Sequence, residues 1–177
     1  EAQFYTGGAV PATFSDPVEA ARTTVNLLRE TEKVDVVIAL SHSGLEKNDN
    51  GTFTDGDDVR LAVAVPGIDV VIGGHSHTEL RAPILANGRT PVVQTGKYGQ
   101  NLGELVISID GDTLTVESYQ LHPIDDSIQG DAAIAEVIEG YKKTVTEVVF
   151  ASRGYAIDMP LAMVTQDISN DFSDIPA

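Results

Sequence analysis

Apolar positions recur along this chain with two periods. Val18, Ala21, Val25 and Leu28 are spaced by three and four, which is one face of a helix. Asp16 as N-cap, Pro17 at the first helical position and Glu19 at the third mark its start. The helix is expected to end near Thr31 to Lys33. The run from Val34 to Leu40, apolar apart from Asp35, then predicts a strand buried on both faces. A short helix from Asp57 to Val65 follows, carrying Arg60 and favoured at its start by Asp57 or Asp58. Pro66-Gly67 ends it. Asp69 to Ile72 and Thr90 to Thr95 read as two more strands. Leu102 to Asp110 and Thr113 to Tyr119 alternate apolar with polar around Asp110-Gly111-Asp112, which predicts a hairpin. That alternation fits a sheet with one wet face or a second sheet packed on the first. Ile134, Val137, Ile138, Tyr141, Val145 and Val148 form a stripe on the longest helical pattern, Asp131 to Phe150, expected to pack on the sheet. Residues 1–14 read as a loop or edge strand. Helix and strand alternate with short connections, so the strands should run parallel with right-handed crossovers, in an α/β fold.

Two of these strands end alike. Val70-Val71-Ile72 runs into Gly73-Gly74-His75-Ser76-His77-Thr78, and Val36-Val37-Ile38-Ala39-Leu40 runs into Ser41-His42-Ser43-Gly44. Ligands of open α/β sheets bind at the carboxyl ends of the strands. Neighbouring strands built this way aim His42, His75 and His77, three of the four histidines, at one region. Neutral imidazoles in that number suggest a transition-metal site, and the adjacent glycines let backbone approach closely. His75 and His77 face the same side if the segment is extended. In a turn they point to two different ions.

The formal net charge of -16 argues against nucleic-acid polymers and anionic membrane surfaces as partners. A nucleotide meets the same repulsion unless cations offset it locally. With no cysteine there is neither a disulfide framework nor a thiolate ligand. No apolar run reaches the roughly 18 residues of a membrane span, and the first residues do not form a signal peptide. Glu46, Asn48, Asn50, Gly51 and Asp57 fall at calcium-loop offsets. An EF-hand wants Asp first and Glu last, so a solvated turn beside the site is the better reading. Gly96-Lys97-Tyr98-Gly99 lacks the Gly-Lys-Ser/Thr of a phosphate-binding loop. It reads as a pocket-lining loop or a plain glycine-rich turn. His122, beside Pro123, reads as a surface or interface residue.

The ordered blocks Ile38 to Gly44, Pro66 to Thr78 and Gly96 to Gly103 resemble the calcineurin-like metallophosphoesterases. The closer likeness is to the branch of 5′-nucleotidases, UDP-sugar hydrolases and 2′,3′-cyclic nucleotide phosphodiesterases, over residues 16–150. The resemblance implies an α/β fold: the second half of an α/β/β/α sandwich, a mixed sheet with flanking helices. It also implies two divalent metal ions, zinc, manganese or similar. Residues matching His42 and His75 hold the second ion and the one matching His77 holds the first. Ser41, Gly74, Ser76, Gly96, Lys97 and Tyr98 are expected to line the pocket.

The family's Asp-x-His and Gly-Asn-His-Glu blocks, the last carrying the catalytic histidine, do not occur here, and no Gly-Asp precedes the first of the matching blocks. The resemblance therefore implies an internal piece of a longer, periplasmic or secreted phosphohydrolase of nucleotides. Residues 1–150 would be the carboxyl-terminal half of the catalytic domain. Residues 151–177 would be a linker into a nucleotide-binding domain, disordered or packed on a neighbouring copy. Such a piece holds its ions incompletely and is expected to be inactive or nearly so. The rival expectation is a non-catalytic binding or structural module that keeps the fold.

Overall fold

The first helix starts where the capping signals place it. In the computed structural model, which describes residues 14–111 and 113–165, α1 spans Pro17–Asn26. The Asp16 carboxylate accepts the backbone N–H groups of Val18 and Glu19 at 2.9 and 3.0 Å. Glu19 does not close the box but pairs with Arg22 at 3.5 Å. The helix continues as one wider π-type turn, Leu27–Thr31. The expectations for residues 1–13, Asp112 and the Asp/Ser-rich end from 166 lie outside the described residues.

A four-stranded sheet follows, ordered β1 (Ile38–Leu40), β4 (Val70–Ile72), β6 (Thr90–Val93), β5 (Ile84–Ala86). The first three run parallel and β5 runs antiparallel to β6, so the sheet is mixed. One face carries the core. Val37, Val71, Val92 and Ala86 meet Val25 of α1 and Val59 and Ala62 of α2 (Asp57–Ala64). On the other face Val70, Pro91 and Val93 are buried, while Ile38, Ile72 and Leu85 are exposed and Leu40 is 82% exposed. The expected strand buried on both faces is thus corrected. It is shorter, and β1 is an edge strand that pairs only with β4 among the described residues.

Residues expected to form a solvated turn make a small hairpin, β2 (Glu46–Lys47) with β3 (Phe53–Asp55). Its tip is closed by the Asn48 side chain, which accepts from the N–H groups of Asn50 and Thr52 at 3.0 Å. A hairpin is not the helix–loop–helix of an EF-hand, and the calcium reading falls. The long hairpin is present as β7 (Asn101–Asp110) and β8 (Thr113–Pro123). His122 is a surface residue on it, 3.0 Å from the Glu104 carboxylate.

The chain divides into two compact units, residues 1–127 and 128–177; the sequence places its division after residue 150. The second unit contains α3 (Ala132–Val145), capped by the Asp131 carboxylate on the Ile134 N–H at 2.9 Å. A π-type turn (Thr146–Phe150) and a 3₁₀ turn (Ala151–Arg153) follow. Along it Ile134, Val137, Ile138, Tyr141 and Val148 are exposed.

At the amino ends of the parallel strands, one ion pair joins α1 to the sheet. Arg29 donates to the carbonyls of Val34 (3.1 Å), Asp35 (2.8 Å) and Gly67 (3.2 Å) and pairs with Asp69. Asp69 also accepts the Val37 N–H at 2.7 Å. Asp69→Ala removes the acceptor from both groups at once. Stability should fall by about 2 kcal/mol, the range for a hydrogen bond to a charged partner. Urea unfolding checks this, and an unchanged midpoint contradicts it.

Candidate metal centre

The parallel ladder does not stop at the strand ends. The Ser41 N–H donates to the Ile72 carbonyl at 2.9 Å, and the Gly73 N–H donates to the Val93 carbonyl at 2.8 Å. Both carboxyl-terminal turns therefore leave the sheet side by side. The rings of His42 and His75 stand 5.3 Å apart between centroids, at 75° to each other. Gly74 makes this approach possible: a Cβ there would lie 2.7 Å from His42 Nδ1.

His77 is placed differently. His75 and His77 both have positive φ, 70° and 55°. The segment is a turn, so the extended reading that put both rings on one side is corrected. The ring of His77 stands 5.5 Å from that of Tyr98, and the ammonium of Lys97 lies 5.2 Å from the Tyr98 ring centre. The Gly96 N–H donates to the Thr78 carbonyl at 2.9 Å, which seats the Gly96–Tyr98 loop against the histidine turn.

A cleft of about 610 Å³ opens beside the imidazole pair, with His42, His75, Ser76, Glu46, Asp57 and Phe14 among its walls. Of the expected lining residues, Ser76 is on this cleft. Ser41 instead hydrogen-bonds Asp58, and Gly74 backs the His42 ring. Both carboxylates at the mouth are held by Arg60, at 2.9 Å from Glu46 and 3.1 Å from Asp57, and Asp55 joins at 3.3 Å. Glu46 and then Asp55 push the Arg60 guanidinium above its usual pKa. The Gly56 N–H first, and then Arg60, hold the Asp55 carboxyl below its usual range.

Two buried polar side chains support the turns, and neither stood out in the sequence. Asp58 is 0% exposed. It accepts from the Ser41 hydroxyl and, at 3.2 Å, from the Gly44 N–H, and so grips the chain on both sides of His42. Gly73 leaves it room, since a Cβ there would lie 2.3 Å from the carboxylate. Gln94, just past β6, bonds Gly74, Ser76 and Thr78. Near it, the Tyr119 hydroxyl donates to the Gln94 carbonyl at 3.4 Å. Burial, and then the Glu79 carboxylate, push the Tyr119 phenol above its usual pKa. No periodicity distinguishes an acid at a helix start or an amide at a strand end as a brace.

The donors fit a metal ion in part. Two imidazoles on one ion, with bonds of about 2.0–2.1 Å and a tetrahedral angle, put their centroids about 5 Å apart, close to the 5.3 Å observed. A T-shaped pair of rings is also stable without an ion. Among the described residues no group of three or more His, Cys, Asp or Glu side chains is placed to hold a metal. The rings of His42 and His75 stand together, and that of His77 stands against Tyr98.

Residues 5–79 match the family model described as calcineurin-like phosphoesterase. The trifunctional nucleotide phosphoesterase protein YfkN of Bacillus subtilis is 33% identical over 147 residues, 80% of this chain and 9% of that protein. A 5′-nucleotidase of Rattus norvegicus is 31% identical over 161 residues, 80% of this chain and 26% of the enzyme. One from Diplobatis ommata is 34% identical over 142 residues, 70% and 23% of the two chains. The chain thus spans about a quarter or less of these relatives. The crystal structure of calcineurin-like phosphoesterase YfkN from Bacillus subtilis superposes with a TM-score of 0.55 at 24% identity, covering 76% of this chain and 45% of that one. With the paired histidine turns at the strand ends, the chain carries calcineurin-like phosphoesterase domain sequence on a mixed α/β fold that it shares with a solved phosphoesterase of that name.

Proposed function

We propose that this chain contributes to a metal-dependent phosphohydrolase of nucleotides. The observation that carries the reading is the His42–His75 pair, 5.3 Å apart at the carboxyl ends of adjacent parallel strands. The nucleotide phosphoesterase and 5′-nucleotidases that resemble it over most of its length support the substrate class. His42 and His75 hold one divalent ion, zinc or manganese by donor type. His77, turned toward Tyr98, is directed at a second. When bound, such ions activate a water and clamp the phosphoryl oxygens. The chain's own part is to hold neutral imidazoles in fixed orientation, and to wall the cleft with Ser76 and the Arg60-bound carboxylates. Residues 151–177 lead towards a further domain, and the working location is periplasmic or secreted.

Two imidazoles do not complete a centre, so the remaining donors come from outside the described residues. The isolated chain is then inactive or nearly so. With AMP or bis-p-nitrophenyl phosphate and added manganese, turnover should stay near the uncatalysed rate. Robust hydrolysis that His75→Ala abolishes contradicts this.

Calorimetry with zinc should show weak binding that His42→Ala and His75→Ala each reduce at least about tenfold, the usual cost of losing a ligand's support or more. Gly74→Ala, which pushes on the His42 ring, should weaken it as well, while His77→Ala should do less. The engagement of Glu46 and Asp57 by Arg60 favours a second reading, a non-catalytic module that keeps the fold. Zinc titrations without heat in the unaltered chain would select that one.

A further inference from the structure

Gln94 is 1% exposed. A buried amide must find partners for both its carbonyl and its NH₂, and Gln94 finds them within one short turn. Its Nε2 donates to the Gly74 carbonyl at 2.8 Å. Its Oε1 accepts from the Ser76 hydroxyl at 3.0 Å and from the Thr78 N–H. With its proton given to Gln94, Ser76 Oγ accepts from the Thr78 hydroxyl at 2.9 Å and from the Leu45 N–H at 3.0 Å. The Leu45 bond reaches the turn that carries His42, so both histidine turns are tied to one amide.

The anchored positions 74, 76 and 78 alternate with the histidines. His75 and His77, between them, have φ of 70° and 55°. A side chain in that left-handed region is strained, and such strain persists only where the surroundings hold it. The Gln94 amide is what spans all three anchors.

The geometry points to Gln94 as the positioning residue of this turn. It holds the strained backbone that aims His75 and His77, and acts through the main chain without reaching what the imidazoles bind. Its effect on metal affinity rests on the proposed function; its effect on the turn does not.

Two variants and three readouts test this in the chain as it stands. Gln94→Leu removes every polar contact. Gln94→Glu keeps the size and, as a carboxylate, replaces the donor to Gly74 with an acceptor. Amide hydrogen exchange at Ser76 and Thr78 should quicken at least about tenfold in both, with Val71 and Val92 in the sheet slowed or quickened by no more than the global stability change. The proton–proton contact between the His42 and His75 rings should weaken in both. Zinc affinity should drop about 10- to 100-fold, as on loss of a group that orients a ligand.

Unchanged exchange at Ser76 and Thr78 with the ring contact intact, in whichever variants fold, overturns the assignment even if the melting temperature falls. If Gln94→Leu does not fold, Gln94→Glu decides. If the unaltered chain takes up no zinc, the metal reading fails, and exchange and ring contact still decide the role of Gln94.

Discussion

The site depends on parallel strands that finish in register. β1, β4 and β6 are paired residue for residue, Leu40 with Ile72 and Ile72 with Val93, and one further hydrogen bond on each pair carries the ladder into the turns. A slip of one residue would reverse which side chains face the helices. Val71 and Val92, both fully buried, would then exchange places with the residues of the opposite face. Burial of that apolar face sets the register, and the register sets where His42 and His75 emerge. The imidazole pair is in this sense a consequence of core packing on α1 and α2.

Register brings the turns together but does not shape them. Shape comes from polar groups that the sheet buries at its carboxyl end. Asp58, on α2, holds Ser41 and Gly44 around His42; Gln94, after β6, holds the other turn. Gly73 lies between them, its missing side chain leaving space for the Asp58 carboxylate and, at 3.5 Å, for the Gln94 amide. Such networks stabilise one conformation only when every member is satisfied. Among the described residues no buried side-chain polar atom lacks a partner.

The sequence made some of this readable. The Asp16–Pro17 cap, the histidine-bearing strand ends and the long hairpin follow from local rules, because caps, turns and alternation depend on neighbours in the chain. Val34 to Leu40 misled because its apolar run is the same whether a strand lies inside a sheet or at its edge, and only topology separates the two. Asn87-Gly88 is a local signal of the same kind. Both residues have positive φ, 51° and 67°, and the Arg89 N–H closes the turn on the Ala86 carbonyl at 3.0 Å. Asn-Gly is the usual signature of such a hairpin turn, and it makes β5 antiparallel to β6. The roles of Asp58 and Gln94 were not legible, since their partners lie 14 to 20 residues away. Nor was the placing of His77 beside Tyr98, in a turn where His75 and His77 both have positive φ.

Charge explains why two well-placed imidazoles are not a complete centre. Neutral rings donate lone pairs but do not offset the charge of a dication, and two dications about 3.5–4 Å apart repel strongly without intervening anions. Among the described residues, the carboxylates on the cleft and beside the histidine turns are engaged. Glu46 and Asp57 are bound to Arg60, and Asp58 is buried with its oxygens turned to Ser41 and Gly44. Freeing Asp58 would unpin His42, so it cannot serve as ligand without dismantling the turn it supports. The overall charge of -16 does not substitute, because exposed charges beyond about 8–10 Å are screened at physiological salt. A dinuclear centre on this face of the sheet would need anionic donors other than these three carboxylates. What the described residues supply is orientation: two imidazoles in a fixed relation, held by a register and by a buried acid and amide.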